Sequence, residues 1–294
     1  MTFNRLITNL LGVLVLAAAA TGCIKEDADD CRDTCRLTVR AYDNSGSELT
    51  QSDVSDVTLY VFDANKRFLE RIDTRIGQSV SVEVAQGEDV HIVGWGNLTQ
   101  ADHSYTQPAV GDHLDDCLIG LKADTRAVSY YLSPADLFRG AITITAQDRD
   151  GEKLLPMYRE AGSMTVIIRG LKEYAGFSDN DYTIEVGETP TTIGFDGTLT
   201  GSGAYYRPTG SFVAGGSGEE YSVPAFNMLP QTSGVQINIY HGTQLIDTVT
   251  RDSSGNAIAV EKGKLTNVLI NYSAEVSVSV AVTAWGVNQV WKEF

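Results

Sequence analysis

Apolar residues return at every second position through most of the chain. That period fits extended strands with one buried face, whereas helices repeat every three to four residues. In the first half the clearest sets are Leu37/Val39/Ala41, Val57/Leu59/Val61, Val80/Val82/Val84, Val90/Ile92 and Ile142/Ile144/Ala146. In the second half they are Met164/Val166/Ile168, Tyr182/Ile184/Val186, Val235/Ile237/Ile239, Ile258/Val260, Val268/Ile270 and Val276/Val278/Val280/Val282. Asp43-Asn44-Ser45-Gly46 and Gln86-Gly87-Glu88-Asp89 supply the side chains and glycines that tight antiparallel turns require. The pattern predicts an all-β chain of antiparallel sandwiches.

The polar stretch Asp148-Arg149-Asp150-Gly151-Glu152-Lys153 divides the two sets, giving one sandwich over 36–150 and a second over 151–294. Helix is sparse: Ser133-Pro134-Ala135-Asp136-Leu137-Phe138 reads as one turn, with Ser133 as N-cap and Pro134 in the first helical position. Gly194 to Gly218 holds eight glycines among Phe195, Tyr205, Tyr206 and Phe212, and reads as a long hairpin or loop excursion, either a clasped surface loop or a ligand-binding one.

The N-terminus does not follow the strand pattern. Arg5 precedes an apolar run, Leu10 to Ala20, that ends in Thr21-Gly22-Cys23. The run is too short for the ~20 apolar residues that a membrane-spanning helix needs, so residues 1–22 read as an export signal. Small residues before a cysteine resemble a lipobox, in which Cys23 is acylated and becomes the mature terminus. Residues 23–35, rich in Asp and Glu, have too few apolar groups to offset their ordering entropy and read as a tether.

With 294 residues and 43% hydrophobic content the chain can bury real cores. Without the signal, 21 basic side chains face 38 acidic ones, a net charge of −17 that repels phosphate backbones and excludes nucleic acid as a partner. With Cys23 acylated, Cys31, Cys35 and Cys117 remain, which suggests one disulfide and one free thiol. Either Cys31 or Cys35 bridges to Cys117, or Cys31 pairs locally with Cys35.

Catalytic patterns are missing: the chain has no Gly-x-Ser-x-Gly elbow, no His-Glu-x-x-His, no phosphate loop and no dinucleotide fingerprint. His91, His103, His113 and His241 do not fall at zinc-ligand spacings with the cysteines. Asp112-His113-Leu114-Asp115-Asp116-Cys117 is the densest polar cluster, but it lacks the Gly and terminal Glu of a calcium loop and reads as a solvated turn. The chain therefore reads as a non-enzyme with no metal and no cofactor.

Taken in order, several segments resemble FimB-type fimbrial anchor subunits of the Bacteroidales, within the fimbrillin superfamily. Cys23-Ile24-Lys25-Glu26-Asp27 followed by Asp30-Cys31 is similar to the family's mature start, and its Lys-Glu-Asp part to a surface-export signal of Bacteroidetes lipoproteins. Val57-Thr58-Leu59-Tyr60-Val61-Phe62-Asp63 and Val93-Gly94-Trp95-Gly96-Asn97 resemble strands of its first domain. Asp136-Leu137-Phe138-Arg139-Gly140 resembles the close of that domain, and Met164-Thr165-Val166-Ile167-Ile168-Arg169-Gly170-Leu171 the opening of the second.

The resemblance implies two transthyretin-like, immunoglobulin-like antiparallel β-sandwiches in tandem. It also implies lipid anchoring in the outer membrane, surface exposure, and fimbrial stalk subunits as partners joined by β-strand addition. Glu275 to Trp285, with Val276, Val278, Val280 and Val282, would either donate a strand to a stalk subunit or close the chain's own sandwich. Arg32, Arg36 and Arg40 stand where an arginine-specific protease removes the first strand of polymerising members, so a stalk or tip role is the alternative to an anchor. A glycan-binding surface lipoprotein is the other reading, with Trp95, Tyr205 and Tyr206 as nominal stacking platforms, although core burial is the commoner fate of a residue like Trp95.

Overall fold

The computed structural model describes residues 33–84, 88–100, 102–125, 130–148, 151–215, 218–273 and 275–291. Cys23, Cys31, Arg32 and the signal segment lie outside them. The first half contributes β1 (Asp33–Ala41), β2 (Val57–Phe62), β3 (Phe68–Thr74), β4 (Ser79–Val84), β5 (Val90–Gly96), β6 (His103–Tyr105), β7 (Leu118–Leu121), β8 (Phe138–Ile144) and β9 (Glu152–Arg159). The second contributes β10 (Gly162–Arg169), the short helix α1 (Leu171–Ala175), β11 (Tyr182–Thr189), β12 (Thr192–Gly194), β13 (Leu199–Thr200), β14 (Ala204–Tyr206) and β15 (Ser211–Gly215). It ends with β16 (Gly218–Met228), β17 (Gln236–His241), β18 (Gln244–Val249), β19 (Lys264–Asn271) and β20 (Ser277–Ala284). The fold is all-β and largely antiparallel.

A seven-stranded sheet runs β3-β2-β5-β8-β9-β1-β4. Its two wings meet only where Phe138 and Arg139 face Arg159 and Tyr158, so the sheet closes over itself. Leu37 and Val39 from one wing then pack with Leu59, Ile92 and Phe138 from the other in one dry core. The second core lies between β15-β16-β10-β19-β20 and β14-β11-β17-β18, and is filled by Val166, Ile168, Ile184, Val223, Ile237 and Ile270 among others. In both halves the first strand pairs parallel with a late one, β1 with β9 and β10 with β19.

A third layer joins the halves. β13-β12-β7-β6 form a small sheet in which Ile193 from the second half pairs opposite Ile119 from the first. It covers the outer face of β2 and β5, where Tyr60, Phe62, Val93 and Trp95 pack against Ile119, Ile193, Phe195 and Leu229. The Phe195 ring lies 4.7 Å from that of Tyr60 and 5.9 Å from that of Trp95. This layer is why β2 is buried on both faces although its sequence alternates.

Four expectations need correction. The polar stretch 148–153 does not separate the cores, because β9 begins inside it and sends Leu155 and Met157 into the first core. The chain passes to the second core between Arg159 and Gly162. Residues 133–137 form no helical turn, because the Ser133 hydroxyl bonds to the backbone of Asn227 on β16 instead of capping. The tether ends earlier than residue 35, since β1 begins at Asp33. Ala146 likewise falls outside β8, in a 3₁₀ turn over Ala146–Asp148.

Candidate assembly surfaces

β1 is an interior strand. It pairs antiparallel with β4 on one side and parallel with β9 on the other, and Cys35, Leu37, Val39 and Ala41 are fully buried. Arg36 and Arg40 point to the opposite face, where they pair with Glu152 at 3.1 Å and Glu48 at 2.9 Å. Cleavage after either arginine would therefore cut within a hydrogen-bonded ladder. Loss of the strand would open a groove between β4 and β9 and remove four core side chains, of which Leu37 and Val39 alone contribute about 1.5–3 kcal/mol each.

β20 pairs with β19 over its whole length, from Lys264 opposite Ala284 to Asn271 opposite Ser277. In the isolated chain the valine-rich segment thus sits in its own sheet. Val278 and Val280 lean on the second core, whereas Val276 and Val282 are 59% and 42% exposed. Within that sheet β20 has a strand partner on one side only. On its outer side the Val278 N–H donates to the Ser253 hydroxyl at 2.7 Å and the Ser253 N–H to the Val278 carbonyl at 2.9 Å, which leaves the outer edge open from Ser279 onward. Its sequence, Ser-Val-Ser-Val-Ala-Val-Thr-Ala, carries no charge and no proline. The other long outer strands do carry charges: Glu70, Arg71 and Asp73 on β3, Glu83 on β4 and Asp247 on β18. Charges blunt a sheet edge against edge-to-edge pairing, so β20 and, on the far side of its sheet, the shorter β15 (Ser211–Gly215) are uncharged edges suited to it, with β20 the longer of the two.

Beyond β20 the chain folds back across the sheet. The Gln289 N–H donates to Asn267 Oδ1 at 3.0 Å, and the Thr283 hydroxyl donates to the Val287 carbonyl. Asn267 is buried and also bonds to Thr165 and Thr283. Trp285 lies 4.8 Å from the guanidinium of Arg159, which stacks on Phe138 at the same distance and pairs with Asp136 at 2.9 Å. Next to it, buried Glu160 accepts from Arg139 at 3.0 Å and from Lys262, while Asn44 donates to the Lys262 carbonyl at 2.9 Å. These groups brace the two cores. The Arg139 guanidinium lies against Gly197, where a Cβ would come within 2.6 Å, and φ of +89° also calls for glycine. Burial pushes the Asp136 carboxyl up to about 6, against the opposing pull of Arg159.

The thiols are not paired with each other. Cys35 is free in the first core and Cys117 is free in the third layer, so a Cys35–Cys117 bridge is absent. Burial raises both, with Cys117 pushed up to about 11. The polar cluster around Cys117 builds its own turn: the Asp112 carboxylate accepts from Ala109 N–H, His113 caps a 3₁₀ turn over Leu114–Asp116, and the Cys117 thiol donates to the His113 carbonyl. Of the proposed stacking residues, Trp95 and Tyr206 are buried, and Tyr206 accepts from the Leu229 N–H. Tyr205 alone reaches the surface.

Comparison with known proteins agrees with this architecture. The chain is 29% identical over 300 aligned residues, 96% of each protein, to the major fimbrium anchoring subunit FimB of Porphyromonas gingivalis. The fimbrial anchor protein Mfa2 of the same species shares the fold with a TM-score of 0.59 at 12% identity, covering 87% of this chain and 98% of that one. A candidate adhesin from Bacteroides thetaiotaomicron does so with a TM-score of 0.62 at 13% identity, covering 86% and 97%. Residues 28–291 match the model of the fimbrillin-A associated anchor proteins Mfa1 and Mfa2, and the chain belongs to that family.

Proposed function

We propose that this protein is a non-enzymatic surface lipoprotein that anchors a fimbrial stalk to the outer membrane. Cys23 carries the lipid, and the stalk subunit joins by strand addition along the free side of β20. The observation that carries this reading is kinship over nearly the whole chain to a fimbrium anchoring subunit. Two features of the fold support it. β1 is held on both sides, as expected of a member that keeps its first strand, and β20 presents a long uncharged edge of the kind that accepts another strand.

Acyl chains suit a load-bearing tether. Each buried methylene contributes about 0.8 kcal/mol, and stable attachment takes more than one chain. The test is fractionation with affinity capture. The native chain should sediment with outer membranes and bring down a fimbrial subunit, whereas Cys23→Ala should leave the membrane fraction. Retention of Cys23→Ala in that fraction, or capture without any fimbrial subunit, would count against the proposal.

A further inference from the structure

The outer face of β14-β11-β17-β18 carries a group of side chains that anchoring does not use. The inward residues of this sheet are Ile184, Val186, Tyr206, Ile237 and Ile239, which leaves Glu185, Gly187, Tyr205, Asn238 and Tyr240 on the other side. Glu185 is nearly buried there; the Tyr130 hydroxyl donates to it and Tyr240 lies beside it. Tyr205 lies flat over Gly187, where a Cβ would come 2.2 Å from its ring, and its hydroxyl donates to Glu188 at 2.6 Å. The Arg207 guanidinium sits 5.4 Å from the Tyr130 ring centre and donates to the Thr183 hydroxyl at 3.1 Å. Gln236 and Thr248 both donate to Asn238 Oδ1, at 2.8 and 2.9 Å, so its amide plane is fixed as well. Arg207 also lines a neighbouring cavity of about 300 Å³ together with Tyr131, Ser133 and Thr209.

We infer that this face is a binding platform for a neutral oligosaccharide, with Tyr130, Tyr205, Tyr240 and Arg207 as its contact groups. A sugar ring offers an apolar C–H face and a rim of hydroxyls. Tyrosine rings meet the first, and planar amide, guanidinium and carboxylate groups meet the second. The rings are held before any ligand arrives, which lowers the ordering cost of binding. Glu185, Glu188 and the net charge of −16 disfavour acidic sugars, so the ligand is neutral.

Isothermal titration of the mature chain with maltohexaose, cellohexaose and β-1,4-mannohexaose tests this. At least one should bind saturably. Arg207→Ala and Tyr205→Ala should each weaken that binding about tenfold or more, and Tyr205→Phe should keep most of it. Arg207 is exposed and its side chain bonds only to Thr183 among these neighbours, so Arg207→Ala should melt like the parent. No binding of any of the three sugars, or binding that survives both alanine variants, would overturn the inference. Val282→Lys, which lies on the other sheet, should bind sugar as the parent does, so failure here stays distinct from failure of the anchoring proposal.

Discussion

Removing residues 276–294 measures how far β20 belongs to the second core. The deletion takes away two half-buried valines, Val278 and Val280, each contributing about 1 to 1.5 kcal/mol at partial burial. The hydrogen bonds of the strand and the entropy of ordering it are of similar size and roughly cancel. Buried Asn267 loses its bonds to Thr283 and Gln289, which adds about 1–3 kcal/mol for an amide left poorly satisfied. The total, about 3–6 kcal/mol, should lower the melting temperature by on the order of 10 °C for a chain of this size, at about 2–4 °C per kcal/mol. Calorimetry of the mature chain with and without the segment is the assay. A change of less than about 2 °C would refute the reasoning, since it would mean that β20 is not a working member of its own sheet in solution.

Phe195→Ala should cost about 3–5 kcal/mol by emptying the centre of the layer that joins the halves, read as a lower denaturant midpoint. Asp136 has a folded-state pKa near 6, above its unfolded value, so its stabilising contribution is present in acid and is lost as pH rises through 6. Relative to Asp136→Asn, the parent should therefore gain about 1.3 kcal/mol between pH 7 and pH 5, which paired melts at the two pH values would show. Cys35 and Cys117 should resist alkylation at pH 8 until the chain unfolds, since both thiols are buried and raised. Labelling of either in the folded protein would contradict that.

Much of the strand content was legible because period-two alternation reports burial of one face directly. Leu37, Val39 and Ala41 enter the first core as the pattern predicts, as do Val166, Ile168 and Ile270 in the second. The third layer was not legible. It depends on β12 pairing with β7 from a distant part of the chain, and nothing in Thr192-Ile193-Gly194 encodes that partner. Trp95, weighed as a stacking platform but expected more often in a core, is indeed buried, although the Phe195 ring that covers it could not be foreseen. Charge was read as a boundary at 148–153, but Lys153 pairs with Asp148 at the start of β9, so a polar turn can sit inside a sheet. The platform on β11 and β17 was reached only through Tyr205. Tyr130, Tyr240, Glu185 and Arg207 are far apart in sequence; the register of β11 with β17 and the bridge of Tyr131 to β14 bring them together.

The claim that the free side of β20 receives the stalk is tested most directly by photo-crosslinking in cells. A crosslinking residue at Val282, beside that edge, should form an adduct with a fimbrial subunit. The same residue at Leu69, exposed on charged β3 in the other sheet, should not. An adduct at Leu69 with none at Val282 would contradict the account.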